Sequence, residues 1–75
     1  MCFFRSKAVK ELDSIIEDIE QYLMNNYKDL AHDCRKKLEQ RTQELYSEGK
    51  LSEKQYRSYM LKFRKYSYKM RDYHH

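Results

Sequence analysis

The sequence predicts an all-α fold, a three-helix antiparallel bundle with helices near residues 7–24, 27–48 and 53–72, each of about twenty residues and roughly 30 Å long. Three observations carry this expectation. The chain holds one glycine and no proline, so little interrupts it apart from Gly49. Apolar residues recur at three- and four-residue spacing in three segments, which gives each helix one face to bury. Residues 44–56 have the form of a tight corner between two helices.

The first helix starts after Ser6, a residue suited to cap free backbone N–H groups. Ala8, Leu12, Ile15, Ile19 and Tyr22 form its apolar stripe, widened by Val9, Ile16 and Leu23. Glu11, Asp13, Glu17, Asp18 and Glu20 fill the other positions and read as a solvated acidic face. A catalytic carboxylate pair needs an environment that shifts a pKa, and this stretch does not suggest one. Asn25-Asn26 tolerates turn geometry, and Asn26 is expected to cap the second helix with Asp29 three positions on.

The second helix places Tyr27, Leu30, Ala31, Cys34, Leu38 and Leu45 on one side. Its stripe thins at Arg41 and Thr42, where a long basic stem can still cover apolar surface. His32 and Cys34, two apart on a helix, point to different sides and are a poor start for a zinc site, so no metal and no cofactor is expected. Cys34 is the one plausible nucleophile. Lying on the core stripe, it reads more simply as a small buried hydrophobe, and no catalytic residues are assigned.

At the corner, Gly49 suits the left-handed residue that ends a helix. Ser52 with Gln55 three residues later has capping-box form, and Leu51 with Tyr56 is placed to staple the entry of the third helix. Leu45, Gly49, Leu51, Ser52 and Tyr56 are also the features through which residues 38–63 resemble the short C-terminal helical hairpin (SHOCT) module of bacterial proteins. That resemblance implies oligomerisation or an adaptor role and no catalytic residues.

The third helix carries two faces. Tyr56, Tyr59, Phe63, Tyr66, Met70 and Tyr73 repeat at three-four spacing, flanked by Met60. A tyrosine keeps a polar tip that needs a partner or water, so this seam is expected to act as a partner interface, pairing with a second copy or another protein. Lys54, Arg57, Leu61, Arg64, Lys65, Tyr68 and Arg71 lie opposite. Cations around an exposed ring are the composition of a nucleic-acid-binding surface, and equally of a solvated face that compensates the acidic first helix.

A single domain, residues 1–75, follows from the length, with residues 1–6 read as a flexible segment. The core is expected to contain Leu12, Ile15, Ile16, Ile19, Leu23, Leu30, Cys34, Leu38, Leu45, Met60 and Phe63, which is small enough for a partner to help. Charged residues make up 37% and hydrophobic residues 40% of the chain, a composition too polar for stable membrane insertion. Phe3 and Phe4, beside Arg5 and Lys7, make at most a marginal membrane-surface signal. Two cysteines far apart and no signal-peptide pattern point to a cytoplasmic setting. Charge is segregated: residues 11–20 carry five acidic and no basic groups, whereas from Gly49 onward eight Lys or Arg face Glu53 and Asp72. The reading that results is a small non-catalytic interaction or adaptor protein, self-associating through the tyrosine seam. A nucleic-acid-binding accessory protein, or a small inhibitor from a mobile element, are the alternatives.

Overall fold

The computed structural model describes residues 6–70. Three helices follow one another, α1 (Lys7–Met24), α2 (Lys28–Ser47) and α3 (Glu53–Lys69). The all-α three-helix bundle is as expected, with α2 packed against both neighbours. The Cα trace measures 41 × 25 × 15 Å, a slab with the helices side by side.

Each helix begins and ends for a local reason. Ser6 Oγ accepts the Val9 N–H and opens α1. Ser52 and Gln55 form the expected capping box, with the Gln55 N–H donating to Ser52 Oγ at 3.1 Å and the Ser52 N–H to Gln55 Oε1 at 2.9 Å. Both inter-helix corners end in a left-handed residue, Asn26 at φ 60° and Gly49 at φ 77°. In each, the N–H groups of the left-handed residue and of the one after it fold back on the last helical turn. Asn26 donates to Leu23 and Tyr27 to Tyr22 at the first corner; Gly49 donates to Tyr46 and Lys50 to Leu45 at the second. This paired closure satisfies carbonyls that a helix end otherwise leaves open. Asn26 therefore terminates α1 and does not cap α2, whose N-cap position is Tyr27, without a side-chain cap hydrogen bond. Asp29 still lies in the first turn of α2, where its charge suits the positive helix end.

The core is a line of Ala8, Leu12, Ile15 and Ile19 from α1 against Ala31, Cys34, Leu38 and Leu45 from α2, closed by Leu51, Tyr59, Tyr66 and Met70. Val9, Ile16, Tyr22, Leu23 and Phe63 pack on its edges. Small residues on the α2 stripe let its neighbours approach, and Thr42 is fully buried there with its hydroxyl lacking a hydrogen-bond partner. Two expected core members are corrected. Leu30 is 48% exposed because the inward stripe of α2 begins with its neighbour Ala31. Met60 is half-buried, because it sits beside the inward line of α3 and edges an outward groove. Phe3 and Phe4 fall outside the described residues. Among those described, no helix is long and apolar enough to cross a membrane.

Candidate interaction surface on the third helix

The two faces of α3 are separated by the helical repeat itself. Tyr59, Phe63, Tyr66 and Met70 form one line. Arg57, Leu61, Arg64 and Tyr68 form another, offset by two residues and therefore about 200° away around the axis.

The first line is the inward face. Tyr59 and Tyr66 are each 6% exposed and Met70 is fully buried, while Phe63 and Tyr56 are half-buried. The ring of Tyr56 stacks on Tyr46 across the hairpin corner, with centroids 4.2 Å apart. The polar tips of the two buried tyrosines are satisfied within the chain. Tyr59 donates to Asp13 at 2.7 Å and Tyr66 to Glu20 at 2.5 Å, both spanning 46 residues of sequence. Burial first, and then the bond to the Glu20 carboxylate, push the Tyr66 phenol above its usual pKa. Lys62 Nζ lies 5.2 Å from the Tyr59 ring centroid and the Arg35 guanidinium 5.5 Å from that of Phe63. Of the seam expected to serve as a partner interface, Tyr59, Tyr66 and Met70 are thus buried within the chain and Tyr56 and Phe63 half-buried. Tyr59 and Tyr66, anchored on α1 carboxylates, belong with Met70 to the inner wall of the bundle. Tyr73, like Arg71, lies outside the described residues.

The second line is open. Leu61 is 64% exposed and Tyr68 72%, and Lys54, Arg57, Arg64 and Lys65 are exposed around them. Tyr56, Arg57, Met60, Leu61 and Arg64 line a shallow groove of about 320 Å³ on this face. Arg57 pairs with Glu53 one turn back at 2.7 Å, whereas Lys54, Arg64 and Lys65 have no ion-pair partner among the described residues. Charge on the outer face is therefore left for water or a binding partner. A second exposed apolar patch, Met24, Tyr27 and Leu30, sits at the α1–α2 corner.

Elsewhere the polar chemistry is structural. Arg41 crosses from α2 to Glu11 of α1 and also holds Glu44. The guanidinium keeps both carboxyls below their usual pKa, and the two carboxylates raise that of Arg41. Cys34 donates to the Ile15 carbonyl at 3.5 Å, and burial pushes its thiol pKa up. Among the described residues no group of three or more His, Cys, Asp or Glu is placed to hold a metal ion.

No protein-family model, curated protein or solved structure matches the chain.

Proposed function

We propose that the chain is a small, non-catalytic interaction protein that binds an anionic partner through the outer face of α3. One observation carries this reading: a leucine more than half exposed at the middle of a helix, beside an apolar groove, with arginines one turn to either side. A lone exposed leucine is ordinary on a protein surface; this one shares a groove with Tyr56 and Met60, so apolar surface is gathered between cations. Aromatic residues, Met and Arg around a desolvated pocket are the composition of protein-binding hot spots. An adaptor and an inhibitor both use such a surface. The free, buried Cys34 suits a reducing, cytoplasmic setting.

Nucleic acid is the second reading, supported by Lys54, Arg64 and Lys65, which have no ion-pair partner among the described residues, and by the exposed ring of Tyr68.

The test is photo-crosslinking in the cells that make the protein, from a benzoyl-phenylalanine placed at Leu61 or, as a control, at Asp18 on the exposed face of α1. A discrete adduct from position 61 and none from position 18 is expected. Equal yields from both positions, or none from either, reject the α3 face as the working surface.

A further inference from the structure

Resting on that reading of α3, we infer that the partner presents an acidic, amphipathic α-helix that lies lengthwise along the outer face of α3. The argument is one of spacing. Leu61 and Tyr68 are seven residues apart, and so are Arg57 and Arg64. Seven residues are close to two helical turns, so apolar and cationic groups alternate along a straight line of the surface. A second helix laid alongside comes back into the same alignment every seven residues, which is the condition for continuous side-chain packing between helices. Its apolar positions meet Leu61, the groove and the Tyr68 ring. Its carboxylates meet Arg64, whose planar fork can donate two parallel hydrogen bonds to a carboxylate, and Arg57, which already holds Glu53 and has further N–H donors to give.

Two other occupants fit less well. A phosphate backbone is served by the cations and by Tyr68, but it leaves Leu61 and the apolar groove beside it wet. A second copy of this chain, paired antiparallel about Leu61, brings Arg57 against Lys65 of its twin, and like charges facing each other across an interface oppose association. The inward tyrosine face is not available to a second copy either, being the wall of the core.

The experiment uses the full chain and a fluorescent helical peptide of about three heptads with Leu at a and d and Glu at e and g, whose own pairing is opposed by Glu–Glu repulsion. The control peptide has Lys at e and g. Mixed-sequence single- and double-stranded DNA are tested in parallel by the same anisotropy readout. Saturable binding of the Glu peptide is expected, with no binding of the Lys peptide. Leu61→Ser should weaken it by about tenfold or more and R57E/R64E should remove it. Because Leu61 is exposed, Leu61→Ser should melt as the parent does, while R57E/R64E, which exchanges the exposed Arg57–Glu53 pair for two like charges, should stay folded with a slightly lower melting temperature. Equal binding of the two peptides, no binding of either, or a Leu61→Ser variant that binds like the parent overturns the inference. If DNA binds instead, with R64E/K65E abolishing it and Leu61→Ser without effect, the partner is nucleic acid: the helix inference falls while α3 remains the working face. An absence of peptide and DNA binding together with no crosslink at position 61 removes both.

Discussion

The Tyr59 hydroxyl reaches out of the core to Asp13 on α1, and one heptad further along Tyr66 repeats the contact with Glu20. Two identical offsets mean that α1 and α3 run parallel in a fixed register. The polarity that suggests an external interface is what locks the outer helices together. Tyr66→Phe should therefore cost about 1–1.5 kcal/mol, the worth of one hydrogen bond to a charged acceptor that stays solvated when released. A double-mutant cycle with Glu20→Ala, which removes the acceptor, read by urea unfolding, should return most of that value as coupling. Additive single effects would show that the two groups do not interact.

Alkaline pH reports on the same contact. The folded-state pKa of Tyr66 is raised, so its contribution is complete below the ordinary tyrosine pKa of about 10 and is lost as pH rises beyond it. The parent should lose stability above that pH more steeply than Tyr66→Phe does. Parallel curves for the two proteins would assign the loss to other groups.

How much of this was legible in the sequence depends on the range of the interaction. The capping box at Ser52, the left-handed Gly49 and the stripe from Ala8 to Ile19 rest on contacts within a turn or two, and spacing alone reveals them. The inward facing of Tyr59 and Tyr66 depends on which helix lies opposite. The signal was present: Asp13 and Glu20 share the seven-residue spacing of the tyrosines. Reading it needs the register between α1 and α3, which periodicity within one helix does not contain. Asn26 and Leu30 differ from the spacing for more local reasons: Asn26 closes α1 where Tyr27 holds the N-cap position of α2, and the inward stripe starts at Ala31. The outer line of α3 is visible as residues with no core to join, but its groove also takes in Tyr56 and Met60, which the spacing assigns to the other face and its flank.

Thr42 offers a test of opposite sign. Its hydroxyl is buried without a partner, so it bears a desolvation cost that nothing returns. Thr42→Val keeps the shape, removes that cost and should stabilise the bundle by about 1 kcal/mol, seen as a higher urea midpoint at unchanged slope. A lower midpoint would mean that the hydroxyl is satisfied in solution.

On the acid side, the group to watch is the Glu11–Arg41–Glu44 cluster that joins α1 to α2. Both carboxyls have lowered pKa values, chiefly through their hydrogen bonds to Arg41. Their contribution is therefore present above the unfolded-state value of about 4.3 and is lost as pH falls through the lower folded-state values. Glu11→Gln should flatten the acid limb of the stability curve and reduce its dependence on salt. An unchanged acid limb would show that the cluster is open in solution.

The two corners share one geometry with different residues, which separates backbone strain from packing. No atom lies within 4 Å of where a Cβ would stand on Gly49, so Gly49→Ala meets no steric obstacle. Its cost is the left-handed conformation alone, about 1 kcal/mol. Asn26 holds the same conformation at φ 60° with a side chain that tolerates it. Asn26→Ala should cost a comparable amount, whereas Asn26→Gly should leave stability within about 0.5 kcal/mol, because easier turn geometry is offset by a more flexible unfolded chain. If Asn26→Ala is neutral while Gly49→Ala is costly, the first corner opens without disturbing the bundle and only the second fixes how the helices are joined. Equal costs, measured by thermal and urea unfolding, would show that both corners close cooperatively with the core.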